Sequence, residues 1–334
     1  MTILPTLRSR TTIVRKEAET DPRYGCPPGK RSIEMHLSLG AVSIDKPPGP
    51  TSHEVVAWVK KILDIERAGH SGTLDPLVTG ILPVMLGDAT KIVDSLLTAG
   101  KEYICLMRVH RTLQRKEMVQ VISEFEGEIY QRPPLKSSVK RVLRKREIYY
   151  LEIVEMEGPR VLLRVGCEAG TYMRKICHDI GLALGTGAHM EELRRTKSGP
   201  FREDETLVTL HQLKDAFVLW KETGDESDLR RAVLPVESAL AHLPALVIAD
   251  GAVDALCHGA PLAAPGLLRL ESDIKEGDMV AMYTLKGEVV ALGTATMPAE
   301  EMMTSTSGIV VKTSRVVMKP GTYPRRWKMH AEVV

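Results

Sequence analysis

Hydrophobic residues recur at helical spacing in several stretches of the chain. In "TSHEVVAWVKKIL", Thr51 and Glu54 have the spacing of a capping box, in which each side chain bonds to the other residue's backbone. The apolar stripe that follows consists of Val55, Val59, Ile62 and Leu63. This pattern predicts a helix that begins after Thr51. The stretch "GTYMRKICHDIGLALG" shows the same periodicity, and we expect a second helix there.

Other apolar runs are short and typical of strands. "ILPVML" and "EYICLMRVH" are such runs, and "EIYYLEIVEMEGPRVLLRVGCEAG" divides at a Gly-Pro turn, which predicts a hairpin. Further helices are predicted for "DATKIVDSLLTAG" and for the segment that carries Leu193. Strands and helices mix without strict βαβ alternation. We therefore expect the α+β class, with a mixed, largely antiparallel central sheet and flanking helices.

The same pattern divides the chain into regions. Residues 1–37 are polar and proline-spotted, which predicts an extended N-terminal arm. Residues 38–245 carry the mixed sheet and its helices. Short strands and turns then dominate, and the Lys286-Gly287 pair between two β-rich runs predicts a hairpin. We expect a small β-rich domain over residues 246–327 and a tail at 328–334.

Composition indicates a folded, globular protein. The chain has 334 residues, of which 43% are hydrophobic, enough to form sizeable cores. No apolar run approaches the length of a membrane span, and no signal peptide is evident, so we expect a cytoplasmic protein. The five cysteines are odd in number and never form a CxxC pair, which argues against a disulfide framework or a zinc ribbon.

Charge is distributed unevenly although the net formal charge is only +2. The run "KSSVKRVLRKR" at 136–146 holds six basic residues and no acidic one. Such a run is often a solvated face, but basic side chains there also suit contact with a nucleic-acid backbone. The candidates for that contact are Lys136, Lys140, Arg141 and Arg144.

The loop "GHSGTLDPLVTG" leaves the role of Asp75 open. An Asp before Pro in a glycine-rich loop is commonly a turn residue. Phosphate binding is weakly supported, because the GxxxxGK[ST] pattern is missing and a carboxylate would repel the phosphate. A metal-dependent aspartyl phosphate and a Ser-His-Asp triad have equally little support. The loop by itself does not decide between these roles.

Four stretches together resemble a known family. "GHSGTLDPLVTG" resembles the signature loop of the TruB family of pseudouridine synthases, in which the Asp is the catalytic nucleophile. "DKPPGPTSHEVV", "KEYICLM" and "GTYMRKICHDIG" resemble three further motifs of that family, in the family's order. The regions that follow, up to Trp327, are similar to the archaeal, dyskerin-like branch, whose C-terminal module is a PUA domain. The resemblance implies the pseudouridine synthase fold, followed by a small PUA barrel. It also implies that the N-terminal arm, residues 1–37, packs on that PUA domain.

The resemblance implies roles for individual residues. Asp75 would be the nucleophile, Arg174 would pair with its carboxylate, and Tyr103 would stack on the target base. A cation in the first turn of a helix opposes the helix dipole, which independently suggests a function for Arg174. Candidate substrate contacts are Tyr172, Leu193, His70 and Lys46, although packing explains the first two equally well and Lys46 could instead support the loop. Whether Asp75 attacks the sugar or the base, or acts as a base, stays open.

The resemblance also implies partners. Members of this branch are catalytic subunits of box H/ACA guide ribonucleoproteins, so we expect a guide RNA, a substrate RNA and small partner proteins on the catalytic domain, and no membrane. The reaction is an isomerisation of uridine in rRNA, with tRNA as a second candidate, and it requires neither cofactor nor metal. Two alternatives are a stand-alone pseudouridine synthase for the tRNA T-loop and a non-catalytic RNA-binding assembly factor.

Overall fold

The computed structural model describes residues 4, 10–133 and 140–325. Within these residues the helices are α1 (Ile33–Ser38), α2 (Ser52–Leu63), α3 (Val93–Leu97), α4 (Arg115–Ser123), α5 (Met173–Ala183), α6 (Leu210–Thr223), α7 (Ser227–Ala232), α8 (Asp250–Cys257) and α9 (Ala299–Thr304). The first strands are β1 (Thr12–Val14), β2 (Gly40–Lys46), β3 (Ala68–His70), β4 (Thr79–Leu86), β5 (Lys101–Val109), β6 (Gly127–Gln131), β7 (Arg144–Glu157), β8 (Arg160–Cys167) and β9 (Ala188–Ser198). The remaining strands are β10 (Phe201–Arg202), β11 (Leu207–Val208), β12 (Leu234–Pro235), β13 (Ala245–Ile248), β14 (Leu262–Ala263), β15 (Leu267–Glu271), β16 (Met279–Tyr283), β17 (Val289–Ala295) and β18 (Ile309–Val316).

The strands form two sheets. The larger has 11 strands, with the main path β11-β2-β4-β9-β5-β8-β7-β6. Its pairs are antiparallel except β11 with β2 and β4 with β9. The smaller sheet has seven strands in the order β1-β15-β13-β16-β17-β18-β14. The expected α+β class with a largely antiparallel sheet is confirmed.

Helix α2 illustrates how the local sequence sets an element boundary. The Thr51 hydroxyl accepts a hydrogen bond from the Glu54 backbone N–H, and the Glu54 carboxylate accepts from the Thr51 N–H, so the predicted capping box is present. The helix ends at Asp64, whose backbone is left-handed with φ 52°. Its buried face packs over the large sheet. The capping box fixes the point at which the chain turns from β2 into α2.

Some elements differ from the sequence-based expectation. The segment expected to be one helix near Asp88 is a 3₁₀ stretch, Gly87–Ile92, followed by the short helix α3. Leu193 lies on strand β9 and not on a helix. The neighbouring strands β4 and β5 both pair with β9. This pairing decides the conformation of a segment whose own pattern is ambiguous, because tertiary contacts override a weak local preference. Strand β1 of the N-terminal arm pairs with β15 of the small sheet.

The apolar interior connects the two sheets. One hydrophobic cluster fills the small sheet, and two others lie on the two halves of the large sheet. A fourth combines residues of both, including Ile81 and Met85 of β4 with Ala281 of β16 and Leu292 of β17. This shared cluster fixes the small sheet against the large one. Across the part of the chain that the structure describes, no helix is long and apolar enough to cross a membrane.

Candidate active site

The loop that carries Asp75 connects β3 to β4 and is held tightly at its base. The Ser52 hydroxyl, at the start of α2, donates to the Leu74 carbonyl and accepts from the Leu74 N–H. The Gly49 N–H donates to the Pro76 carbonyl at 2.9 Å. Gly80 has φ 96°, and a Cβ there would lie 2.3 Å from the Arg195 carbonyl oxygen of β9. The first-motif turn and strand β9 therefore fix both ends of the loop.

Asp75 and Arg174 meet at the surface, as the resemblance implies. Nη2 of Arg174 lies 2.7 Å from Oδ2 of Asp75, and the two side chains are 63% and 53% exposed. An exposed ion pair adds only about 0–1 kcal/mol to stability. Arg174 is the second residue of α5, where its charge opposes the helix dipole. The pair therefore contributes little to stability, and its effect is to orient a carboxylate that is open to a ligand.

Tyr103 lies in the middle of β5, opposite Val165 of β8 and Arg195 of β9. Its ring packs at the edge of the cluster beneath β5 and is partly exposed. Burial raises the pKa of the phenol, the charge of Asp75 raises it further, and the Arg195 guanidinium opposes both effects. The phenol is therefore neutral near pH 7 and can donate a hydrogen bond.

Lys46 does not reach toward a substrate. Its side chain is 0% exposed, and Nζ donates to the carbonyls of Pro47, Pro76 and Val78 at 2.9, 2.8 and 2.9 Å. An ammonium group has three donors, and all three are used here. The expectation of a substrate contact is therefore corrected in favour of the alternative that Lys46 supports the loop. Burial lowers its pKa, and the nearby Asp75 opposes that shift.

Arg195 is a residue of the site that was not predicted from the sequence. This side chain is 1% exposed and lies under the loop, with Nε 2.7 Å from the Ile81 carbonyl oxygen and Nη2 3.2 Å from that of Gly72. The spacing of Arg195 from Leu193 could have indicated it. Residues two apart on a strand lie on the same face, so a strand predicted through Leu193 would have placed Arg195 beside it.

The other candidate contacts lie around this centre. Tyr172 is the N-cap of α5; its backbone N–H and carbonyl both bond to the Gln131 side chain, at the end of β6. Leu193 packs at the edge of the cluster that also contacts Tyr103. The His70 ring stands edge-on to His53, with centroids 5.0 Å apart. Burial lowers the pKa of His70, so this ring is neutral near pH 7.

The described part of the basic run, residues 140–146, leads into β7 of the neighbouring β6–β7 hairpin. Lys136 lies outside the described residues. Lys140 and Arg141 are exposed, and Arg144 is half-buried at the start of β7. Gln131 joins this hairpin to the start of α5, the helix that carries Arg174. The basic side chains are therefore attached to the same framework as the ion pair.

The geometry suits acid-base or nucleophilic chemistry on a bound ligand. One carboxylate is oriented by a guanidinium, a neutral phenol lies nearby, and two buried cations hold the loop. In the described part of the chain, no group of three or more His, Cys, Asp and Glu side chains could hold a metal ion. Arrangements of this kind are typical of sites in which a carboxylate attacks the substrate or transfers its proton.

Profiles of four protein families match the chain. They are "TruB family pseudouridylate synthase (N terminal domain)" at residues 60–173, "tRNA pseudouridylate synthase B C-terminal domain" at 174–241, "PUA domain" at 244–317 and "DKCLD (NUC011) domain" at 3–56. A "Probable tRNA pseudouridine synthase B" of Methanopyrus kandleri is 58% identical over 324 residues, 97% of this chain and 96% of that protein. Its namesake in Pyrococcus furiosus is 57% identical over 327 residues, 98% of this chain and 96% of that protein.

Solved structures show the same relationship. A chain from "Structure of H/ACA RNP bound to a substrate RNA containing 2'-deoxyuridine" matches with a TM-score of 0.92 and 55% identity, covering 97% of this chain and 100% of that one. A chain from "Crystal Structure of a Cbf5-Nop10-Gar1 Complex" matches with a TM-score of 0.93 and 57% identity, covering 97% and 98%. The similarity extends over both sheets.

Proposed function

The chain belongs to the TruB family of pseudouridine synthases, and from this premise we propose that it is the catalytic subunit of a box H/ACA guide ribonucleoprotein. In this role it would isomerise uridine to pseudouridine in rRNA. The observation that carries the proposal is the oriented, solvent-accessible Asp75 carboxylate, held at 2.7 Å by Arg174. The near full-length similarity to chains of an H/ACA ribonucleoprotein supports the guide-dependent form of the activity.

Asp75 acts in this proposal as the nucleophile. The N–C bond between uracil and ribose breaks, the base turns, and its C5 bonds to the same sugar carbon. The C5 proton leaves to solvent and N1 takes up a proton, so the product has the composition of the substrate and no oxidation or reduction occurs. Arg174 binds Oδ2 and orients the carboxylate, which leaves Oδ1 to face the nucleotide. Attack on the sugar, attack on the base and proton removal from the ribose all use this same oxygen.

The target uridine must leave the RNA stack to reach Asp75. Flipping a nucleotide costs a few kcal/mol, roughly, and is least costly for an unpaired base. Tyr103 would stack on the flipped uracil and Leu193 would complete the pocket wall, because both lie at the exposed edge of the same apolar cluster. His70 and Tyr172 would contact the nucleotide from either side of the loop.

RNA recognition would combine base pairing with contacts to the backbone. A guide RNA reads the sequence by pairing, and the basic hairpin supplies attraction that does not depend on sequence. Substituting Lys140, Arg141 and Arg144 by Ala should weaken RNA binding and flatten its salt dependence. An unchanged dissociation constant across a salt series would exclude this role. Small partner proteins like those named with the structural relatives would complete the particle, which would act in the cytoplasm.

The main experiment measures product formation directly. Protein, partner proteins, guide RNA and substrate RNA labelled with tritium at uracil C5 are combined, and tritium release is followed, because the new bond at C5 displaces that hydrogen. We expect release that requires the guide and disappears in Asp75→Asn. Asp179→Asn, on α5 but away from the Asp75 carboxylate, is the matched control. Full activity of Asp75→Asn would exclude the proposed mechanism and favour a non-catalytic RNA-binding role.

A second candidate function follows from the names of the relatives. Several are described as probable tRNA pseudouridine synthases, so this chain could also modify a tRNA T-loop without a guide. The same assay with tRNA as the sole RNA distinguishes the two functions. Product from tRNA in the absence of guide supports the second, and product that requires the guide supports the first.

A further inference from the structure

Arg195 is the largest of the fully buried side chains in the described chain. A buried guanidinium normally pairs with a carboxylate, because desolvating an unpaired charge is costly. Over residues 4, 10–133 and 140–325, no carboxylate lies within salt-bridge distance of Arg195. Ion pairing within the described residues therefore does not explain why the Arg195 guanidinium is buried here.

The contacts of Arg195 connect three separate parts of the site. Nε donates to the Ile81 carbonyl of β4 at 2.7 Å, and Nη2 donates to the Gly72 carbonyl of the catalytic loop at 3.2 Å. The guanidinium also lies beside the Tyr103 phenol, which is opposite Arg195 in the β5–β9 register. Gly72 is three residues before Asp75. One planar group therefore lies between the loop that carries the carboxylate and the strand that carries the aromatic ring.

We infer that Arg195 is a positioning residue for pseudouridylation, which fixes the Tyr103 phenol and the Gly72 end of the catalytic loop relative to each other. This inference rests on the proposed function. The ring that stacks on the uracil and the carboxylate that reacts then reach the nucleotide in a constant geometry. Arginine suits this task better than lysine, because the donors of its rigid fork point in fixed directions.

The inference predicts coupling between Arg195 and the Tyr103 hydroxyl. The variants Arg195→Met, Arg195→Lys, Tyr103→Phe and the two double variants are compared in the complete particle with guide RNA. Arg31→Met is the matched control: it removes another buried guanidinium, whose partner is the Glu237 carboxylate. The readouts are the single-turnover rate and the dissociation constant for substrate RNA.

We expect Arg195→Met to lower the single-turnover rate about 100-fold without weakening RNA binding, the loss typical of misplacing reacting groups by about 1 Å. In the Tyr103→Phe background the same substitution should cost less than about 10-fold, since the partner hydroxyl is already missing. Arg195→Lys, which keeps the charge, should recover part of the rate. Arg31→Met should change the rate by the same factor in both backgrounds.

Equal losses for Arg195→Met in both backgrounds would overturn the inference, because a general packing defect is independent of the hydroxyl. If Arg195→Met does not fold, Arg195→Lys carries the same comparison. Failure of the proposed function has a different signature: Asp75→Asn would then be active, or the unaltered particle would yield no pseudouridine.

Discussion

The catalytic loop and the N-terminal arm are held in place by different sets of charged side chains. Lys46 and Arg195, both buried, donate hydrogen bonds to carbonyls in or beside the loop. The arm is held by carboxylates as well as by a lysine of the C-terminal region. Asp250 accepts from the Asp21 N–H and Glu288 from the Cys26 N–H, while Lys286 donates to the carbonyls of Asp21 and Tyr24. Buried carboxylates under the loop would repel the charge of Asp75, whereas cations there favour it. The buried cations Lys46 and Arg195 therefore suit a loop that carries the negative charge of Asp75.

A substitution in the exposed ion pair of Asp75 and Arg174 should affect activity far more than stability. Arg174→Met should lower the pseudouridylation rate about 1000-fold, because the carboxylate loses the group that orients it and stabilises its charge. The free energy of unfolding should change by less than about 1 kcal/mol, as for other exposed pairs. Tritium release and urea denaturation measure the two quantities. A rate within threefold of the unaltered protein would show that Arg174 does not orient Asp75.

Removal of the buried cation Lys46, which supports the loop, should have the second-largest effect on the rate. Lys46→Met leaves three carbonyls without their buried donor, and we expect a rate about 100-fold lower through displacement of the loop. Substrate binding should change little, because the Lys46 side chain is buried and its three donors are bound to carbonyls. Lys61→Met, at an exposed position of α2, is the control. Weaker RNA binding with an unchanged single-turnover rate would instead restore the substrate-contact role for Lys46.

The support of the arm should affect stability and not the chemistry. Arg31 forms two hydrogen bonds with Glu237, at 2.9 and 2.7 Å, and only 3% of its side chain is exposed. Glu237→Gln should lower the free energy of unfolding by about 3 kcal/mol, since it leaves a buried guanidinium without its counterion. The folded variant should retain the normal rate. Asp94→Asn, in the exposed pair with Arg315, should change neither quantity.

Acid should weaken the arm's attachment through His242. Burial lowers the pKa of this ring to about 4 from its ordinary value of 6.5, and its backbone carbonyl accepts from Arg10 of the arm. Between pH 6.5 and 4 the unfolded chain binds a proton that the folded chain does not, so stability falls as pH falls, by about 2 kcal/mol at pH 5. Denaturation of His242→Gln from pH 7 to 4.5 should show a shallower decline.

The control for this pH experiment is His211→Gln, which alters an exposed histidine on α6. It should retain the full acid dependence. If His242→Gln declines as steeply as the unaltered protein, His242 is not the source of the acid sensitivity.

Local signals allowed much of the fold to be predicted. The capping box at Thr51 and Glu54, the β7–β8 hairpin and the helical stripe of α5 depend on residues near one another in the chain, and all three are present. The helix expected around Leu193 was wrong, because pairing with β5 decides the conformation of a segment whose own pattern is weak. That error concealed Arg195.

The sequence by itself determined the residues available for the chemistry and the order of the motifs that contain them. Asp75, Tyr103 and Arg174 could be named because the motifs that contain them resemble those of the TruB family. Only the tertiary structure decided which cations serve the loop. The sequence does not show which groups Lys46 and Arg195 bind, because distant strands bury these two side chains against carbonyls that water can no longer reach.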